Sequence, residues 1–210
     1  MKRLLSAIIL SVSALTFSAT ADTLLEIQRD WAHVNYDLTG DEQEKAFNVL
    51  LHKAEEWVKK QPNSAEAHIW LGITQSSFAG VKGGLGALSL AKKAKKNFEK
   101  ALRLDENALN GSAMVSLGVL YHKVPGWPLG FGDDDKAKDL ILAGLKQSPD
   151  GIDSNYFAAE FFYDNKQYDK ALSHLHIAQS AAPREDRPLA DKGRQLEIAT
   201  LKQRVEAKLN

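Results

Sequence analysis

Apolar residues recur at helical spacing along nearly the whole chain. Leu24, Ile27, Trp31, Val34 and Leu38 fall near the 3.6-residue period and predict a helix over residues 23–38, which Gly40 stops. Asp41 followed by Glu44 is a capping-box-like restart. Ala46, Leu50, Ala54, Trp57 and Val58 then line one face of a second helix, which ends at Gln61-Pro62-Asn63. Asn63-Ser64-Ala65-Glu66 caps a third. At the other end of the chain, Asp186-Arg187-Pro188 starts a last helix, with Leu189, Leu196, Ile198, Leu201, Val205 and Leu209 as an apolar stripe.

Between these ends the pattern repeats. One unit carries Leu71-Gly72 on its first helix and Ala94, Phe98 and Ala101 on its second. The next carries Leu117-Gly118 and Tyr121, then Ala137, Ile141, Gly144 and Pro149. The third carries Ala158-Ala159 and Phe162, then Ala171, Leu175, Ala178 and Pro183. Small residues let two helices approach, large apolar ones fill the gap to the neighbour, and proline, with no N–H, ends the second helix. These positions resemble the tetratricopeptide repeat. The resemblance implies an all-α, tetratricopeptide-repeat-like solenoid of antiparallel helix hairpins. One domain, 22–210, would comprise a degenerate first hairpin (22–62), three repeat units (63–106, 107–149 and 150–183) and a capping helix (184–210).

Spacing adds two interruptions. The interval from the glycine position of the first helix to the first small residue of the second is 12 residues from Ala159 to Ala171. It is 19 from Gly118 to Ala137 and 22 from Gly72 to Ala94. Two units therefore hold inter-helix insertions of about 7 and about 10 residues beyond the repeat interval. The first, residues 79–88, is glycine-rich and precedes Lys92, Lys93, Lys95, Lys96, Lys100 and Arg103. No strand precedes it and it has neither phosphate-loop spelling, so it reads as a turn beside a solvated basic face. Leu85, Leu88 and Leu90 argue that it also extends the second helix.

The second insertion contains Pro125-Gly126-Trp127-Pro128-Leu129-Gly130-Phe131-Gly132 and leads into Asp133-Asp134-Asp135. Its prolines stiffen it, its glycines allow positive φ, and Trp127 and Phe131 need cover. Asp133 is the expected N-cap, with Asp134 and Asp135 complementing the helix dipole. Three consecutive aspartates point in different directions, so they do not read as a cation site. Adjacent hairpins stack, so both insertions are expected at one end of the solenoid. Leu85, Leu88, Trp127 and Phe131 would form one apolar cluster there. With Pro125, Pro128, Tyr121 and Tyr156 they are the candidate residues for a ligand or a protein partner.

Composition and charge narrow the chemistry. The chain is 210 residues long with 27 basic and 27 acidic residues, so no global field favours nucleic acid. Lys2 and Arg3 precede a mostly apolar run to Phe17, and Ala19-Thr20-Ala21 has small residues where a signal peptidase cuts. The run falls short of the ~20 residues of a membrane span. A cleavable signal ending after Ala21 and a periplasmic product are expected, with no transmembrane segment in the mature chain. The absence of cysteine excludes disulfides, thiol catalysis, cysteine-ligated zinc and diacylation. His174 and His176 lie about 200° apart on a helix and cannot share a metal. His33, His52, His68 and His122 fall on four different helices, no serine sits in a nucleophile elbow, and no carboxylate pair stands out. No catalytic residue, metal or cofactor is expected.

Three stretches together carry a closer resemblance. They are Gly83-Gly84-Leu85-Gly86-Ala87-Leu88 with Ala91-Lys92-Lys93-Ala94, the Val124–Asp133 segment around Trp127, and Asp150-Gly151-Ile152-Asp153-Ser154-Asn155-Tyr156-Phe157. They are similar to the TatT-like T-component family associated with TRAP transporters, over most of residues 40–195. That resemblance implies a periplasmic helical repeat protein that partners a periplasmic solute-binding subunit and holds a small apolar ligand. This chain departs in lacking the lipid-accepting cysteine of many relatives. A non-catalytic binding scaffold, using its concave face or an insertion-lined pocket, and an envelope assembly factor acting through protein contacts alone both fit the residues.

Overall fold

The computed structural model describes residues 7–210, with side chains from Asp22 onward. The export signal expected over residues 1–21 lies outside the residues whose side chains are described. Among the described residues there are nine α-helices and no strand: α1 (Ala7–Tyr36), α2 (Gly40–Lys60), α3 (Ala65–Lys82), α4 (Gly84–Leu104), α5 (Ser112–Lys123), α6 (Asp134–Gln147), α7 (Ile152–Asp164), α8 (Tyr168–Gln179) and α9 (Pro188–Leu209). None of the described helices is long and apolar enough to cross a membrane.

Local chemistry accounts for most boundaries. Ser64 caps α3 by accepting from the Ala67 N–H, and Asp133 caps α6 by accepting from the Lys136 N–H. Pro188 stands at the start of α9, where its missing N–H is not needed. The start of α2 differs from the expected capping box. Its N-cap is Thr39, without a side-chain bond, and Asp41 lies in the first turn, where it serves the dipole instead.

Hairpins α3–α4, α5–α6 and α7–α8 each pack along their length and against the next. The repeated small positions explain how. Ala94, Ala137 and Ala171 are fully buried, as are Phe98, Ile141 and Leu175 one turn later. A Cβ on Gly72 would lie 2.6 Å from the Phe98 ring, and one on Gly118 would lie 2.7 Å from Ile141 Cγ1. Phe98 and Ile141 therefore sit on the backbone of the partner helix, where burying each contributes about 1.5–3 kcal/mol.

The first insertion is almost wholly helical. It lengthens both α3 and α4, and only Gly83, at φ 66°, separates them. The second is a compact loop in which Gly130 donates to Gly126 O, Gly132 to Pro125 O and Asp133 to Tyr121 O. Its glycines do not use the positive φ open to them. They permit close backbone approach: a Cβ at Gly130 would strike Pro125 O, and one at Gly132 would strike Val124 O.

The last helix does more than cap the stack. It packs against α8 and α7 and also returns to α1. Ile198, Leu201 and Val205 are buried, whereas Leu196 is 64% exposed, because two residues carry it about 200° round the helix from Ile198. The contact with α1 is made at Gly193, where a Cβ would lie 2.5 Å from both Cδ carbons of Tyr36. Glycine at that position lets the two ends of the superhelix meet.

Candidate functional site

The eight residues expected to form a site do not converge. Phe131 turns inward, edge-on to Tyr121 at 5.6 Å, and joins Ala91, Ala94, Phe98, Leu117 and Leu120. The Lys95 ammonium lies 5.7 Å from each of these two rings. Trp127 and Leu85 are each 90% exposed, Pro125 and Pro128 are exposed, and Leu88 is half-buried. The expected cluster of Leu85, Leu88, Trp127 and Phe131 is therefore not a buried one. The loop closes through Gly130 and Gly132, which directs Phe131 to the core and leaves Trp127 outside.

A cavity lies instead on the concave face. It has a volume of about 460 Å³, and α1, α3, α5, α7 and α9 all contribute to its wall. That is the size range of small-molecule sites. Trp31 and Trp70, at 6.0 Å and nearly edge-on, stand in one wall. Trp31 Nε1 donates to Ser77 Oγ at 2.9 Å. Ile73, Val115, Val119 and Phe157 supply apolar surface, with serine hydroxyls from α3, α5 and α7 among them. The first helix of each hairpin lines this cavity, and α4, α6 and α8 contribute no residue to its wall.

A chain of charges fastens α9 across this cavity. Arg194 Nε donates to Asp153 Oδ1 at 2.8 Å, and its NH1 donates to Glu197 Oε2 at 2.6 Å. Arg184 NH1 donates to Asp153 Oδ2 at 2.7 Å, and its Nε donates to Asp191 Oδ1 at 2.6 Å. Burial alone would raise the Asp153 carboxyl, but the Arg194 and Arg184 guanidiniums overcome it and hold the group well below the usual carboxylate range. Burial raises Glu197 and Arg194 only partly offsets it. Burial also raises the Tyr36 phenol, which donates to Glu197 Oε2 at 3.2 Å. The Arg194 guanidinium further stacks on Tyr156 at 4.4 Å and Phe157 at 4.6 Å.

Tyr156 is the one sequence candidate that lines either of two cavities, the concave pocket and a second depression. It belongs to the second, of about 440 Å³, with Glu160, Leu196 and Arg204. Tyr36 borders both cavities. The histidines serve local structure: His68 meets Asn97, His122 bridges Asp134 and Asp164, and His174 meets Asn155. Among the described residues no group of three or more His, Asp or Glu side chains is placed to hold a metal ion.

Sequence reasoning missed Tyr36, Trp70, Asp153, Arg184, Arg187, Gly193 and Arg194. Two signals were present. A glycine inside the periodic α9 marks a close approach. Arg187 and Arg194 are seven residues apart and so share a helix face.

No protein-family model matches the sequence, and no curated protein matches it. Among solved structures, the chain is similar to a thermophilic TPR protein of Thermus thermophilus. The TM-score is 0.57 over 78% of this chain and 73% of that one, at 16% sequence identity. At that identity the likeness speaks to fold alone, a tetratricopeptide-repeat-like helical solenoid.

Proposed function

We propose that the protein is a non-catalytic binding scaffold of the bacterial envelope whose concave pocket, closed by α9, holds a small ligand with a substantial apolar part. The observation that carries this reading is the return of α9 to α1 at Gly193 and Tyr36. An open solenoid offers a through-running groove suited to an extended peptide. Closure converts part of that groove into a walled cavity of about 460 Å³. Native mass spectrometry of protein purified from the periplasm tests it. A retained small molecule released by Trp70→Ala or Val115→Arg is expected. A ligand-free protein that acquires nothing from a periplasmic extract would contradict it.

A protein contact belongs to the same reading. Trp127 and Leu129 are 90% and 73% exposed on a loop held by backbone hydrogen bonds. Rigid, exposed aromatics are typical anchors of protein interfaces. The partner that fits the sequence resemblance is a periplasmic solute-binding subunit, making the protein an accessory of a TRAP-type transporter. Trp127→Ala should abolish pull-down of that subunit while leaving ligand retention intact. Unchanged pull-down would remove the loop from the proposal.

A further inference from the structure

The concave pocket holds two unpaired hydrogen-bond donors. Its wall carries Arg184, Arg187 and Arg194 against Asp150 and Asp153. Arg184 and Arg194 are committed to Asp153, Asp191 and Glu197. Asp150 is exposed to solvent. Arg187 makes no side-chain hydrogen bond or ion pair among the described residues. Its guanidinium is parked over the Trp70 ring, 5.3 Å from the centroid.

Arg187 Nε and Trp70 Nε1 are both buried without a hydrogen-bond partner. They are the two such side-chain atoms among the described residues, and both are donors. A buried donor left unpaired is costly, more so when charged, and native folds rarely tolerate two side by side. No acceptor of the wall reaches either of these two donors. Burial and the adjacent Arg184 guanidinium push Arg187 below the usual arginine range, and Asp153, Asp191 and Asp186 do not offset them. A half-buried guanidinium with an unpaired Nε, beside a second unpaired donor, is a position that an anion relieves.

We infer that the pocket receives an amphiphile whose anionic head group pairs with Arg187 beside Trp70 and whose apolar tail lies against Ile73, Val115, Val119 and Phe157. This rests on the concave pocket being a ligand site, and it names the class of ligand. A fatty-acid carboxylate and an alkyl phosphate share the head-group chemistry, with two or more oxygens able to accept from a guanidinium fork.

Isothermal titration with decanoate, decyl phosphate and decanol, each below its micelle concentration, tests the inference on the full mature chain. At least one anion should bind the unaltered protein roughly tenfold or more tightly than decanol, as a charged hydrogen bond predicts. Arg187→Met should erase that advantage without changing decanol binding, and Arg187→Lys should keep most of it. The order of decanoate and decyl phosphate identifies the head group. Equal affinity for decanol and the anions, or an Arg187→Met protein that binds anions as before, would overturn the anionic class and leave the pocket as an apolar site. No binding of any of the three would overturn both the class and the pocket's role as a small-ligand site. Should Arg187→Met fail to fold, the comparison of anion with alcohol on the unaltered protein decides the matter.

Discussion

Gly193→Ala isolates the contact that closes the superhelix. In a helix interior, replacing glycine by alanine stabilises by about 0.5–1 kcal/mol through backbone entropy. At Gly193 the new methyl would lie 2.5 Å from the Tyr36 Cδ carbons. The Tyr36 ring has little room to give, because it meets Trp31 edge-on at 5.6 Å and its hydroxyl is bonded to Glu197. Overpacking of this kind costs about 1–3 kcal/mol. Gly80→Ala is the control: it lies in α3 and a Cβ there would meet nothing within 4 Å. Urea denaturation should show Gly80→Ala more stable than the parent and Gly193→Ala less stable, separated by about 1–3 kcal/mol at unchanged m. In a Tyr36→Ala background the separation should vanish, since the obstructing ring is gone. If Gly193→Ala gained stability alongside Gly80→Ala, α1 and α9 would not be in the contact that forms the pocket.

The two aromatics of the second insertion should behave differently: Phe131→Ala, at a partly buried ring, costs about 2 kcal/mol in thermal or urea unfolding, whereas Trp127→Ala stays within about 0.5 kcal/mol. Asp133→Ala removes the α6 cap and should lower the urea midpoint, with most of the loss recovered by Asp133→Ser. Asp153→Asn should cost about 2 kcal/mol, less than a fully buried pair, because Asp153 keeps part of its surface open and Arg194 retains Glu197. Because the folded Asp153 carboxyl titrates below its unfolded value of about 3.9, its stabilisation is present above that pH and is lost as pH falls further, so the variant's acid limb should be flatter below about pH 4. Burial likewise lowers His174, whose contribution is present above its unfolded value of about 6.5 and lost as pH falls; His174→Gln should lose less stability between about pH 7 and pH 5 than the parent.

The hairpins were legible because their packing rule is local and repeats. A small residue at 72 or 118 needs a large one at 98 or 141, and both positions can be counted along the chain. Phe131 and Trp127 could not be told apart in that way. Which ring turns inward depends on the backbone contact of Gly132 with Pro125, and this leaves no periodic trace. The pocket was hidden for a different reason. Tyr36 and Gly193 meet only after the small rotations of successive hairpins have accumulated, so no window of sequence contains both. The arginines that fasten α9 carry no pattern along the chain that ties them to Asp153, which the fold brings to them.

Four tryptophan indole signals offer the most direct test of where a ligand binds. Trp31 and Trp70 line the concave pocket, Trp57 is buried on α2, and Trp127 stands on the exposed loop. A proton–nitrogen correlation spectrum of the labelled chain, recorded during titration with the tighter-binding anion, resolves these four sites. The signals of Trp70 and Trp31 should shift, with Trp70 Nε1 moving furthest as it gains an acceptor, while those of Trp57 and Trp127 stay in place. A shift confined to Trp127 would contradict the concave pocket and return the site to the second insertion.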